Sequence, residues 1–336
     1  RELRRERGQS LLMKLNVPAP FRDRMARLAP GLDAGILDAL GRGAHKAIRV
    51  NPLRPADEGA LMGPLTEAGV SVEPLQFLPG AYHVLSSPER FRWAQLDAYR
   101  LGDFYVESPS SLLPPLELGA EAGEVILDAA AAPGSKATQI GEAMRNEGVV
   151  VANDVSSSRL QALAHHLDRL GLLNVVVLRS DARTLGSRFP ERFDRVLLDA
   201  PCSGEGLLSK GGEIFRDWGV ARIHRLAGLQ RAMIDSCFDA LRPEGVLVYS
   251  TCTFAPEENE ATIDHLLGRE DATLVPIVIA GCRTYPGVTQ WNGKAFRPEL
   301  ERSVRIYPGE DSIYDGLFMA KIKKEVHGSL HSDGRA

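Results

Sequence analysis

The chain has 336 residues, 44% of them apolar and 25% charged, with 40 basic against 44 acidic side chains and a formal charge of −4. That is the globular average, which excludes a disordered polymer or fibrous repeat, and the length suggests two domains or one domain with an appendage. Cys202, Cys237, Cys252 and Cys282 contain no C-x-x-C spacing, are too few for a disulfide scaffold and are expected to be reduced thiols. No window approaches about 18 uninterrupted apolar residues and no apolar run follows the charged start Arg1 to Gly8, so a cytoplasmic protein with no leader and no membrane partner is expected.

Residues 1–50 hold 11 Lys and Arg against five Asp and Glu, a surplus that the remainder reverses. A basic start on an acidic body hints at a polyanionic partner, although an ordinary solvated helical face explains the same count. Residues 1–105 are punctuated by Pro and Gly, with helix-like stretches at 21–29 and 33–42 and a strand at 47–50, and read as a small N-terminal α+β domain. The polar, proline-bearing Glu107 to Pro115 reads as the junction to a second domain, 106–324, and 325–336 as a disordered tail.

From Glu124 the pattern changes to short β-branched runs separated by helical segments, the rhythm of a parallel α/β sheet. Glu124 to Asp128, Gly148 to Asp154, Asn174 to Leu178, Asp194 to Asp199 and Gly245 to Ser250 read as strands buried on both faces. Lys136 to Arg145, Ser156 to Leu170, Val220 to Leu241 and Pro256 to Leu267 read as the helices between and after them. The expected fold is α/β, a doubly wound Rossmann-like sheet, and Gly316 to Lys323 is expected to form a final strand.

The first strand runs into DAAAAPGSK, Asp128 to Lys136, opening a helix where nucleotide-type ligands sit in such sheets. The loop has one glycine, Gly134, so it is neither a dinucleotide fingerprint nor a P-loop, and nothing in it cradles a phosphate. Asp154 ends the second strand, where a carboxylate accepts both ribose hydroxyls, and Asp181 follows the third, placed for an exocyclic adenine amine. An adenosine without phosphate suits this pattern, and S-adenosylmethionine is the common soluble cofactor that fits; alternatively each aspartate only caps the following helix.

The fourth strand runs into DAPCSGE, Asp199 to Glu205, and the fifth into YSTCT, Tyr249 to Thr253, so Cys202 and Cys252 are expected at neighbouring strand ends. Either alone reads as an inert small hydrophobe. Together they suit methylation of cytosine carbon 5, which is a poor nucleophile until a thiolate adds to carbon 6 and converts the ring to an enamine. Asp199 can bond to the ring near N3, and a second thiol can help remove the carbon 5 proton. Pro256 reads as the start of a helix whose dipole favours a thiolate at Cys252, opposed by Glu257 and Glu258.

At these residues the chain resembles the RNA cytosine-C5 methyltransferases of the NOL1/NOP2/Sun family, through IRVNPLR (Ile48 to Arg54), YVESPSS (Tyr105 to Ser111), AAAPGSK (Ala130 to Lys136), NDVSSSR (Asn153 to Arg159), DAPCSGEG (Asp199 to Gly206) and VYSTCTFAPEENE (Val248 to Glu260). The resemblance implies a class I methyltransferase domain with Cys252 as nucleophile and Cys202 assisting product release. It implies a cofactor site of Ala130, Ala131, Ala132, Pro133, Gly134, Ser135, Lys136, Asp154, Arg159, Asp181 and Asp199, and RNA contacts from Arg49 and Asn51. DAPCSGEGLLSK with RPELERSVRIYP (Arg297 to Pro308) looks most like the bacterial 16S ribosomal RNA enzymes of the F type, so rRNA is expected ahead of tRNA. Ser135, Ala130 and Glu107 depart from the family's usual glycine, cysteine and glutamine, and the chain stops soon after Lys324, where that type often carries a further RNA-binding domain.

Arg1, Arg4, Arg5, Arg7, Arg22, Arg24, Arg27, Arg49 and Arg54 can track phosphates, and Phe91, Trp93, Phe104 and Tyr105 can stack on bases or fill a core. The scattered histidines predict no metal site, and a monomer is expected. Two other readings compete: a methyltransferase acting on nitrogen or on protein with idle cysteines, and a non-catalytic ribosome-assembly factor.

Overall fold

The computed structural model describes residues 16–41, 43–54, 58–309 and 312–326. Arg1, Arg4, Arg5, Arg7 and all but two residues of the expected tail lie outside the described residues. Two helices, Ala19–Leu28 and Asp33–Ala39, precede four antiparallel strands, β1 (Ala47–Val50), β2 (Ser71–Pro74), β3 (Ala81–Ser86) and β4 (Phe104–Glu107), in the order β2-β3-β1-β4. The helix Glu58–Glu67 belongs to this sheet, packing Leu61 and Leu65 with Ile48 and Phe104. The first two helices pack elsewhere: Phe21, Met25, Ile36 and Leu40 meet Leu208, Ile214, Phe215 and Phe254 of the later chain.

The second sheet contains β5 (Val125–Asp128), β6 (Val149–Asn153), β7 (Val175–Leu178), β8 (Phe193–Asp199), β9 (Leu241–Thr251), β10 (Ala272–Val275), β11 (Tyr285–Pro286), β14 (Val304–Ile306) and β15 (Leu317–Lys324), while β12 (Gln290–Trp291) and β13 (Lys294–Ala295) pair separately. Strands β7-β6-β5-β8-β9 are parallel neighbours in that order, and β15 lies antiparallel against β9. The strand order reverses between β5 and β8, the switch point at which such sheets open a crevice.

Alternation along the strands places the two cores. Leu127, Val196, Leu198, Leu247 and Tyr249 face helix Val220–Ala240 through Ile234 and Phe238. Ile126, Leu197 and Val248 face the other way, onto Leu118, Ile140 and Met144. Strand β7 departs from the reading of a strand buried on both faces: it is the edge, with Val176 and Val177 exposed. The stretch Glu107 to Pro115 is not a solvated linker, because Pro109–Leu112 and Leu113–Leu118 are short helices whose Leu112 and Leu113 are fully buried.

The expected helix from Pro256 is also corrected. Residues 256–259 form turns and the helix is Glu260–Leu266. Asn259 sits at φ −102, ψ −96 because its side chain is drawn back to the strand end, accepting from Thr251 Oγ1 at 2.6 Å and donating to the Thr253 carbonyl at 2.9 Å. The dipole expected at Cys252 from a helix beginning at Pro256 is therefore not formed there.

Arg49 and Asn51, expected to touch RNA, are instead buried. Arg49 donates to Glu107 at 3.0 Å, to Thr138 at 2.9 Å and to Glu142, and is 4% exposed. Asn51 donates to the carbonyls of Gly102 at 2.9 Å and Leu170 at 2.8 Å. Gly102 permits this approach, since it adopts φ +83 and a Cβ there would meet the Arg169 carbonyl oxygen at 1.9 Å. Both residues join the two sheets rather than face solvent, because buried acceptors around them hold their side-chain donors.

Candidate active site

A cavity of about 800 Å³ opens at the carboxyl ends of β5, β6, β7, β8 and β9. Its floor is the loop after β5, where Ala130, Ala131 and Ala132 leave space that longer side chains would fill. The loop is fixed from several sides. Ala131 N donates to the Asn153 carbonyl at 2.7 Å, Asn153 Nδ2 donates to the Ala129 carbonyl at 2.9 Å, and Arg159 donates to the Ala132 carbonyl. Gly134 turns the chain at φ +120 into helix Ser135–Ala143, and Ser135 donates to Glu107 at 2.7 Å, bringing the end of β4 into the cavity wall.

Each strand-end carboxylate has a cation. Asp154 pairs with Arg159 at 3.1 Å and accepts from Ser156 N at 2.8 Å; Asp181 is gripped by Arg183 at 2.6 Å, which together with its bond to the Arg183 amide holds its pKa below the ordinary value. Asp199 pairs with Lys136 at 2.7 Å and accepts from Ser250 at 2.8 Å. Burial pulls the Lys136 ammonium down, but the bond and charge of Asp199 outweigh it and the net direction is up. Asp128 is the exception. It is fully buried, its Oδ2 has no hydrogen-bond partner, and burial pushes it up to about 7 against the pull of Lys136.

On the opposite wall Cys202, just past β8, and Cys252, just past β9, place their sulfurs 3.3 Å apart. Both are partly exposed and both line the cavity. The bond to Cys252, burial and the charge of Cys252 push the Cys202 thiol well above its ordinary value. Cys202 is therefore a protonated thiol at neutral pH, in contact with the Cys252 sulfur. Cys237 is buried in the core and takes no part.

Behind the sulfurs lies a group whose role is not apparent from sequence. Glu258 accepts from the Ser203 amide at 3.0 Å, the Ser203 hydroxyl and Gln230 Nε2 at 2.8 Å. Ser203 Oγ meets Thr253 Oγ1 at 2.6 Å, so one buried carboxylate joins the residues that follow the two cysteines. Burial lifts Glu258 to about 7 despite those bonds. The acidic run PEENE was the available signal, but its partners lie 28 and 55 residues away in sequence. Glu257 points elsewhere, to Arg24 at 2.6 Å and to the Trp291 indole at 3.0 Å, which occupies Arg24 and removes it from the expected phosphate ligands. Phe104 and Tyr105 are buried, while Phe91 and Trp93 pack against the N-terminal sheet and stay partly exposed.

The donor set fits an adenosine-bearing cation. Asp128 offers a buried, unpartnered carboxylate oxygen to an ammonium, Asp154 keeps lone pairs for ribose hydroxyls, and the alanine floor leaves room for the rest. The strand order, the position of the cavity and this donor set are those of a class I, S-adenosylmethionine-dependent methyltransferase. A family model described as 16S rRNA methyltransferase RsmB/F matches residues 115–323, and the chain belongs to that family. It is 37% identical over 280 residues to a tRNA (cytosine(49)-C(5))-methyltransferase of Pyrococcus abyssi, covering 83% of this chain and 88% of the relative. It is 37% identical over 322 residues to a ribosomal RNA small subunit methyltransferase F of Vibrio atlanticus, covering 92% of this chain but only 64% of that relative. A crystal structure of a methyltransferase homolog protein from Pyrococcus horikoshii superposes with a TM-score of 0.81 at 31% identity, covering 94% and 98% of the two chains.

Proposed function

We propose that the protein methylates carbon 5 of a cytosine in RNA through a covalent adduct between Cys252 and ring carbon 6. The observation that carries this reading is the sulfur pair, 3.3 Å apart and open to the same cavity as the donor loop. Two inert thiols have no reason to meet in a solvent-accessible pocket.

The residues divide the work. S-adenosylmethionine supplies an electrophilic methyl group when bound. Ala130 to Ala132, Pro133, Gly134, Ser135, Asp154, Arg159 and Asp181 shape and line its seat, and Asp128 takes the ammonium. Cys252 adds its sulfur to carbon 6, the carbon 5–carbon 6 double bond opens, and carbon 5 becomes nucleophilic toward the methyl group. Asp199, oriented by Lys136 and Ser250, bonds to the ring near N3 and stabilises the adduct. The causes that hold Cys202 protonated include its bond to Cys252 and that group's charge. Both weaken once the Cys252 sulfur is alkylated, so Cys202 can give up its own proton to water and, as a thiolate, take the carbon 5 proton; the freed electron pair re-forms the carbon 5–carbon 6 double bond and expels Cys252 as a thiolate. The target base must be unpaired or flipped to reach so recessed a sulfur.

The family description favours 16S rRNA as the substrate. A second reading, tRNA, is favoured by the more complete match in length to the archaeal relative. Incubation of the protein with methyl-labelled donor and either 30S-derived rRNA or tRNA, followed by nucleoside mass spectrometry, tests both. We expect label in 5-methylcytidine from one RNA and none with Cys252→Ala. Label on a ring nitrogen or on protein, or full turnover by Cys252→Ala, rejects the reading.

A further inference from the structure

With Arg49 and Asn51 buried, the RNA contact must lie elsewhere, and the charge around the cavity is unbalanced in a way that shows where. On the donor side every cation has a carboxylate: Lys136 with Asp199, Arg159 with Asp154, Arg183 with Asp181. Lys210 also lines the cavity and is exposed, and its side chain has no ion-pair or hydrogen-bond partner among the described residues. Helix Val220–Ala240 contributes Leu229 and Met233 to the lining of the same cavity.

At roughly 100° per residue, Arg222, Leu229 and Met233 fall within about 40° of one another, a single stripe along that helix, and Arg225 stands about 60° to one side. At about 1.5 Å per residue, Arg225 and Arg222 lie about 6 and 10 Å further along the axis than Leu229, outward from the cavity. Arg225 is exposed and has no partner among the described residues. Among the described residues the Arg222 side chain donates only to the Asp217 backbone carbonyl, at 3.4 Å. The neighbouring acids do not neutralise them: Glu213 engages Arg216 at 3.8 Å, and Asp217 forms no ion pair among the described residues.

We propose that Lys210, Arg222 and Arg225 form a phosphate-binding rim that carries the single-stranded RNA flanking the target cytosine. The inference rests on the reading that the substrate is RNA. The rim begins at the cavity lining, at Lys210 and Leu229, and along the helix extends over a length that two or three nucleotides span at about 3.4 Å or more each. Its cations form no ion pair among the described residues.

The test is binding without chemistry. A dye-labelled single-stranded RNA of about 12 nucleotides with one central cytosine is titrated by anisotropy between about 50 and 200 mM salt. The variants are Lys210→Ala/Arg222→Ala/Arg225→Ala, the charge-preserving Arg222→Lys/Arg225→Lys, and Arg192→Ala, an exposed arginine preceding β8 at the far end of the sheet. Donor binding by each variant reports an intact cavity. The triple variant is expected to bind at least about tenfold more weakly and to lower the slope of log affinity against log salt by about 2, at roughly 0.7 for each phosphate no longer neutralised. The lysine variant should keep the slope and Arg192→Ala should match the unaltered protein. No binding by the unaltered protein, an unchanged slope in the triple variant, or an equal loss in Arg192→Ala overturns the proposal. The underlying chemistry fails separately: a responsive salt slope in a protein that methylates no cytosine leaves the rim standing, whereas methylation with an unresponsive slope removes the rim alone.

Discussion

Asp128 is the residue at which burial leaves a charge most exposed to test. Its pKa lies at about 7 in the folded protein against an ordinary 3.8, so between those values the folded state holds a proton that the unfolded state releases. The sign follows: this group lowers stability as pH rises through that window, and an ammonium seated against it must first displace the proton. Affinity for S-adenosylmethionine is therefore expected to weaken by up to about tenfold per pH unit below about pH 7, to level off above it, and to become nearly flat in Asp128→Asn, as calorimetric titration at several pH values would record. Arg49 gives a different prediction. Truncating it strands Glu107 and Glu142 as buried, unpaired carboxylates, and Arg49→Ala is expected to lose about 3–5 kcal/mol of stability by urea unfolding, with Arg49→Lys intermediate because it cannot serve both acids with a fork. Neither role is visible in the local sequence: an arginine in IRVNPLR reads as a surface cation until carboxylates 58 and 93 residues away close around it.

At the scale of elements, the site depends on the loop after β8 lying against β15. Gly206 N donates to the Cys252 carbonyl and Gly316 N donates to the Gly206 carbonyl, each at 2.9 Å. A Cβ on Gly206 would stand 2.6 Å from Gly316 Cα, an approach between backbones that cannot turn aside. Gly206→Ala is expected to cost about 1–3 kcal/mol and to separate the sulfurs, lowering methyl transfer more than donor affinity in side-by-side turnover and binding assays. Elements of this kind differ in how well a sequence announces them. The runs that became β5, β6, β8 and β9 were legible because strands covered on both faces are continuously apolar, and the helices between them because their buried residues recur at helical spacing. The start of the helix after Cys252 was not: Pro256 has the signature of a first helical position, but Asn259 and Glu258 satisfy more hydrogen bonds by turning back to the strand ends. The short strands between β10 and β14 carry too few residues for alternation to register.

For the whole molecule, two sheets meet around one cavity, and the join is not a hinge. Asn51 and Arg49 from β1 and Glu107 from β4 are bonded into the helices that carry the donor loop. The first two helices are built into the later chain through Phe21 and Phe254. The N-terminal part thus shapes the cavity wall through Tyr105, Glu107 and Ser108. The candidate site was legible where a motif and a strand end coincide, at Ala130 to Lys136, Asp154, Cys202 and Cys252. Lys210, Leu229 and Met233 were hidden because only the packing of helix Val220–Ala240 brings them to the same opening. The proposed function turns on one event, the bonding of the Cys252 sulfur to a pyrimidine. The measurement that reaches it most directly is denaturing electrophoresis of Cys202→Ala after incubation with cytosine-bearing RNA and S-adenosylmethionine, with peptide mapping of any crosslink. The expected result is an RNA–protein adduct that survives denaturation and maps to Cys252; turnover without any trapped adduct, or an adduct mapping to another residue, contradicts it.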